Sequence, residues 1–115
     1  MHIAERRVAS VLILDARGQL TTGSGNTSLK DNIDRVVHQG YRNVILNLED
    51  VPVLDSAGIG QIVGSYTMLS RAGGTLKLLG LSKAAHDLLK GTKLLTVIET
   101  FDTEEDAVRS FPAAR

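Results

Sequence analysis

The chain contains no cysteine, which excludes a disulfide framework, thiol catalysis and a thiolate metal site. It also lacks an excess of either charge, because 13 basic and 13 acidic side chains give a net charge of zero. A protein that binds nucleic acid directly, or that binds an anionic membrane, is expected to carry an excess of basic residues, and this chain does not. No segment approaches the roughly 18 continuous apolar residues of a membrane span, and the N-terminus has no apolar signal-peptide core.

The chain does carry enough apolar residues to form one core. Its 115 residues are 43% hydrophobic, which predicts a single domain over residues 1–115 that needs neither metal nor disulfide for stability. We therefore expect a soluble cytoplasmic protein whose partners are proteins or small ligands.

Short aliphatic runs predict the strands. Four of them are Val11–Leu14, Val44–Leu48, Thr75–Leu79 and Thr96–Ile98, separated by stretches of different periodicity. A fifth, Ile3–Val8, carries three charged residues that suit an edge strand, and we expect it to form a hairpin with the next strand.

The intervening segments have helical periodicity. Residues 28–39 place Leu29, Ile33 and Val36 on one face, after a start at Ser28 and before Gly40 at a helix end. A second helix is predicted from Ile59 to Leu69, a third from Ser82 to Gly91, and a fourth capped by Thr103. The order β-β-α-β-α-β-α-β-α predicts an α/β fold with a mixed, mostly parallel sheet of four to five strands and about four helices.

The carboxyl ends of parallel strands are where sites form in such sheets. The strand Val44–Leu48 is expected to continue through the connection 49–52 to Asp55 and Ser56, which places both residues at that end. A small polar loop, 21–27, follows the preceding strand and is expected at the same end.

Several kinds of chemistry can be set aside. The three histidines are scattered along the chain, so no metal site is predicted. Ser56 lacks the glycine two residues earlier that a nucleophile elbow requires, and the phosphate-binding G-x-x-x-x-G-K-[ST] pattern is absent. The glycines at 58, 60 and 64 resemble a dinucleotide fingerprint only weakly, and we interpret Gly60 and Gly64 as sites of close helix packing. No cofactor and no catalysis by the protein itself are expected.

The residues around Ser56 are compatible with two roles, a helix cap and a phosphoryl acceptor. A serine at a helix start commonly accepts a backbone N–H bond worth about 1 kcal/mol, and Asp55 could do the same. The free N–H groups of a helix start also form an anion site, where a phosphoryl group on Ser56 would be tolerated.

The segment Asp55–Gly60, preceded by the strand 43–48 and followed by Gly73–Leu78, resembles the bacterial anti-sigma factor antagonists of the STAS-domain family. The likeness covers nearly the whole chain and extends to Leu88, Phe101 and Phe111. It implies a small sheet with helices, which agrees with the order above. One difference lies at Thr21, where family members often carry an acidic residue.

The resemblance implies partner switching. The unphosphorylated antagonist would bind an anti-sigma factor that is also a serine kinase and free the sigma factor; phosphorylation at Ser56 would release it, and a phosphoserine phosphatase would reverse the modification. The implied partner-binding residues are Asp55, Ser56, Ala57, Gly58, Ile59, Gly60, Thr21, Thr22 and Asn26. Two alternatives are a non-switching scaffold that assembles into homo-oligomers and a domain that binds a nucleotide or a lipid-like ligand.

Overall fold

The computed structural model describes residues 2–20, 28–91 and 94–111. These residues form a five-stranded sheet in the order β1-β2-β3-β4-β5. The strands are β1 (His2–Val8), β2 (Val11–Leu20), β3 (Asn43–Leu54), β4 (Thr75–Leu79) and β5 (Thr100–Phe101), and the helices are α1 (Ser28–His38), α2 (Ser56–Arg71), α3 (Lys83–Gly91) and α4 (Glu104–Arg109). The predicted fold class and element order are confirmed.

The sheet is mixed. β1 and β2 form an antiparallel hairpin in which Val8 pairs with Val11, and the remaining neighbours are parallel. The predicted hairpin and the predicted edge strand are therefore confirmed.

The main core lies between the sheet and helices α1 to α3. On the strands it contains alternate residues such as Leu12, Leu14, Val44 and Leu46, which pack against the apolar faces of the helices. Ile33 of α1 and Ile62 of α2 are fully buried there. Residues of all three helices belong to this one cluster, so the helices lie on one side of the sheet, as the right-handed crossover rule requires for neighbouring parallel strands connected in this order.

The second face of the sheet is covered by α4. Val11, Ile13, Ile45 and Leu79 pack there against Ala107, together with Phe111 just beyond the helix. The start of α4 is fixed as predicted, because Thr103 Oγ1 accepts a hydrogen bond of 3.2 Å from the Asp106 N–H.

Polar contacts also tie α4 to this second face. Arg6 donates to both carboxylate oxygens of Asp15, at 2.5 and 3.1 Å, and to Glu104 of α4 at 2.6 Å. Asn47 donates to Asp15 at 2.8 Å. The hydrogen bonds from Arg6 hold the pKa of the Asp15 carboxyl below its usual range, and Asn47 adds to the effect; the two carboxylates raise the pKa of Arg6.

Three strand predictions are wrong. β2 does not end at Leu14 but continues to Leu20. β3 does not end at Leu48 but continues to Leu54, so residues 49–52 are strand rather than a connection. The segment Thr96–Ile98 is not a strand: a 3-10 helix occupies Leu94–Thr96, and the last strand is Thr100–Phe101. Ile98 is buried in the main core, which accounts for its apolar character without strand pairing.

Candidate functional site

The ends of β2 and β3 lie side by side. Leu20 pairs with Leu54 at the last position of their parallel register, so the chain leaves both strands at the same edge of the sheet. Asp55 follows one strand and Thr21 follows the other. The predicted contact residues Thr21, Thr22 and Asn26 lie outside the described residues.

This end of the sheet projects beyond the other strands. β4 pairs only with residues 43–47 of β3, whereas residues 50–54 pair with β2 alone. Two irregularities in the β2–β3 register, around Arg17, accompany the projection. The site therefore lies at the tip of a two-stranded extension.

Asp55 begins α2 as its N-cap. Its backbone is extended, with φ −116° and ψ −173°, and its carboxylate oxygen Oδ1 accepts a hydrogen bond of 3.0 Å from the Gly58 N–H. The Asp55 carbonyl oxygen accepts the first intrahelical bond, 2.9 Å from the Ile59 N–H. This is the geometry of an N-cap aspartate, and it decides which of the two adjacent residues caps the helix.

Ser56 is the first residue of α2, and its side chain is exposed. Its hydroxyl makes no hydrogen bond to any residue within the described ranges. Two other hydroxyls at helix starts differ, because Ser82 Oγ accepts a bond of 3.1 Å from the Ala85 N–H and Thr103 caps α4 in the same way. Of these three hydroxyl groups, that of Ser56 is the one that makes no capping hydrogen bond.

The residues after Ser56 differ in burial. Gly58 and Ile59 are buried, Ala57 is half-buried and Gly60 is exposed. An added Cβ would meet nothing within 4 Å at either Gly60 or Gly64. The prediction that these two glycines allow close helix packing is therefore wrong: the buried face of α2 is formed by Ile59, Ile62 and Leu69, and both glycines face open space.

Two shallow hollows lie on the second face of the projecting strands. One, of about 390 Å³, is lined by His2, Ala4, Asp15, Arg17 and Asp50. The other, of about 500 Å³, shares Arg17 and Asp50 and reaches Pro52. This surface is absent from the sequence prediction because the predicted strand ends at Leu48, whereas β3 continues to Leu54. The valines at 51 and 53, on either side of Pro52, were the available signal.

No other chemistry is assembled in the described part of the chain. Among those residues, no group of three or more His, Asp or Glu side chains could hold a metal ion. No helix there is long and apolar enough to cross a membrane.

A protein-family model described as "STAS domain" matches residues 2–107. The anti-sigma-B factor antagonist of Bacillus subtilis is 32% identical over 81 residues, which cover 70% of this chain and 73% of that protein. The crystal structure of a candidate anti-sigma factor antagonist from Thermotoga maritima has 26% identity and a TM-score of 0.86, over 94% of this chain and 92% of that one.

The anti-sigma factor antagonist SpoIIAA, in its unphosphorylated form, shares the fold. The TM-score is 0.72 at 21% identity, over 95% of this chain and 96% of SpoIIAA. The structure of the phosphorylated form of SpoIIAA, from Bacillus, gives a TM-score of 0.69.

Proposed function

The chain belongs to the family of STAS domains, and from that premise we propose that it is an anti-sigma factor antagonist that acts by partner switching. In its unphosphorylated form it binds an anti-sigma factor that is also a serine kinase, and the sigma factor is freed. Phosphorylation of Ser56 releases the complex, and a phosphoserine phosphatase restores the binding form.

The observation that carries this proposal is the exposed Ser56 hydroxyl. It stands at the tip of the projecting strands, and Asp55 rather than Ser56 takes the capping bond to Gly58. A phosphoryl acceptor must reach the active site of another protein, and a hydroxyl committed to its own helix would have to break a bond first. Ser82 and Thr103 are committed in that way.

The transfer is a simple exchange of phosphorus–oxygen bonds. Ser56 Oγ attacks the γ-phosphorus of a nucleoside triphosphate held by the kinase, the bond to the β-phosphate oxygen breaks, and the nucleoside diphosphate leaves. The hydroxyl proton passes to a base on the kinase. The antagonist supplies the acceptor and no catalytic group.

The phosphoryl group changes the charge of the docking surface. It adds about −1.5 to −2 charges next to the Asp55 carboxylate. Release requires repulsion that exists only in the complex: a like-charge pair between this group and an acidic side chain of the partner at about 4 Å costs on the order of 4 kcal/mol at an effective dielectric of about 20, before relaxation and salt screening. Couplings of roughly 1 to 3 kcal/mol already change affinity about 5- to 150-fold, so a fraction of this repulsion suffices for release.

Two further facts support the proposal. The Bacillus subtilis relative, which matches over most of both chains, is named as an anti-sigma factor antagonist. SpoIIAA, which shares the fold, exists in phosphorylated and unphosphorylated forms.

The test is intact-mass analysis after incubation with ATP and candidate anti-sigma kinases from the same cell. We expect one added phosphoryl group, mapped to Ser56 and absent from Ser56→Ala. If no candidate modifies the protein and its mass in solution greatly exceeds the 12.3 kDa of one chain, the scaffold alternative replaces this proposal.

A further inference from the structure

Two residues compete for the same role at the start of α2. Aspartate and serine have nearly equal preference for the N-cap position, and here they are adjacent, at 55 and 56. Only one can cap the helix, and the bond from the Gly58 N–H to Asp55 Oδ1 shows that Asp55 does so.

The competing arrangement is well defined. An N-cap side chain accepts the N–H of the second or third helical residue after it. With Ser56 as N-cap the helix would start one residue later. Ser56 Oγ would then accept the Ile59 N–H, because the observed caps at Asp55, Ser82 and Thr103 all accept from the third residue after them. That N–H now bonds to the Asp55 carbonyl oxygen at 2.9 Å, so the shift exchanges one partner for another and leaves Ile59 bonded.

We infer that Asp55 is a positioning residue: its carboxylate holds the N-cap of α2 and thereby keeps the Ser56 hydroxyl free to accept a phosphoryl group. This inference rests on the proposed function of Ser56. It assigns Asp55 a role through hydrogen-bond geometry, not through negative charge and not as the base that receives the Ser56 proton.

The proposed role predicts different effects for substitutions of Asp55 that remove the cap and for those that remove only the charge. Asp55→Ala removes the cap and lets Ser56 take it, which turns the hydroxyl oxygen toward the helix. Asp55→Asn and Asp55→Ser remove the charge but keep a side-chain oxygen at the cap. Ser82→Ala is the matched control, because it removes a cap from α3, where Lys83 follows and no second hydroxyl can replace it.

The first measurement is amide hydrogen exchange by NMR on the protein alone. In Asp55→Ala we expect the Gly58 amide to lose its protection and the Ile59 amide to keep it, whereas Asp55→Asn and Asp55→Ser retain the parent pattern. Unchanged protection of Gly58 in Asp55→Ala, or loss of protection at Ile59 as well, would refute the shift of the cap to Ser56.

The second measurement is the rate of phosphorylation of Ser56 by a kinase that modifies the parent chain. We expect Asp55→Ala to react about fivefold more slowly, because the hydroxyl must first leave the cap, while Asp55→Asn, Asp55→Ser and Ser82→Ala react within about twofold of the parent. Equal slowing in Asp55→Asn and Asp55→Ala would assign the effect to charge and overturn the inference.

The two measurements separate failure of the inference from failure of the proposed function. If no kinase modifies the parent chain, the proposed function fails and the positioning role fails with it, although the exchange data still decide which residue caps α2. If the parent is modified but Asp55→Ala reacts equally fast, the proposed function stands and the inference alone is wrong.

Discussion

Lys77, in the middle of β4, is hydrogen-bonded to Ser110, the residue that follows α4. Lys77 Nζ donates to Ser110 Oγ at 2.9 Å and to the Ser110 carbonyl oxygen at 3.2 Å. The ammonium group also lies 4.4 Å from the centroid of the Phe111 ring and 3.3 Å from Glu99. A lysine with only 7% of its side chain exposed is stable in this position because each of these partners compensates for its lost hydration.

This arrangement predicts that the lysine stem contributes more to stability than its charge. Lys77→Met keeps the apolar stem but removes the buried charge and its hydrogen bonds, and we expect a cost of about 1 kcal/mol. Lys77→Ala also leaves a cavity and should cost about 3 kcal/mol. Urea unfolding of both variants checks the order, and equal losses would show that the charge interactions dominate.

The pairing of Asp15 with Arg6 predicts a dependence of stability on pH. Because the folded pKa of Asp15 is lowered from 3.8, its contribution is fully present above about pH 5 and is lost as the pH falls through the folded pKa. We expect Asp15→Asn to reduce the free energy of unfolding by about 1 kcal/mol at pH 7, and the difference from the parent should shrink below pH 4. A difference that stays constant down to the folded pKa would contradict this linkage.

The sequence predicts the fold because most elements carry strong local signals. The sequence predicts β4 with its observed bounds, although the signal is weaker there, since Thr75 and Lys77 leave only three leucines in the run. The extension of β3 was missed because its register irregularities interrupt the alternation after Leu48. β5 has only two residues, too few to give any periodicity, and it is defined by its pairing with Leu78 and Leu79.

The candidate site was predicted only in part. The sequence placed Asp55 and Ser56 at the carboxyl end of a strand, as observed, but it could not decide between them as N-cap because their intrinsic preferences are nearly equal. The choice follows from the extended backbone of Asp55 at the end of β3. Glycine pairs on helices are also ambiguous in sequence, and those at 60 and 64 face open space.

Gly74 and Gly64 provide a matched pair of alanine substitutions. A Cβ at Gly74 would lie 2.7 Å from the backbone oxygen of Arg42, which cannot move away easily, whereas one at Gly64 would meet nothing. We expect Gly74→Ala to destabilise the protein by about 2 kcal/mol and Gly64→Ala to stabilise it by up to about 1 kcal/mol through helix propensity. Thermal unfolding of the two variants should therefore shift the midpoint in opposite directions.

Ala9 is a site where glycine should increase stability. It is the first of the two residues that connect β1 and β2, and its φ of 56° is the sole positive value among the non-glycine residues described. Left-handed geometry costs an alanine about 1 kcal/mol that glycine avoids, so Ala9→Gly should raise the free energy of unfolding by up to that amount. The gain is reduced by the greater freedom of glycine in the unfolded chain. A clear loss of stability on chemical denaturation would show that Ala9 makes contacts that outweigh this strain.

Substitutions of Ser56 test the charge mechanism directly. Because Asp55 caps the helix, Ser56→Ala should fold with unchanged stability and bind the anti-sigma kinase as the parent does, but ATP should no longer release it. Ser56→Asp places one negative charge beside Asp55, fewer than the roughly −1.5 to −2 of a phosphoryl group, and should weaken binding about 5-fold or more. Ser56→Asn is the neutral control of similar size and should retain most of the affinity. Titration calorimetry in low and high salt separates the two causes, because Ser56→Asp should regain affinity as salt screens its charge. Equal weakening of binding by Ser56→Asn and Ser56→Asp would indicate steric exclusion and refute electrostatic switching.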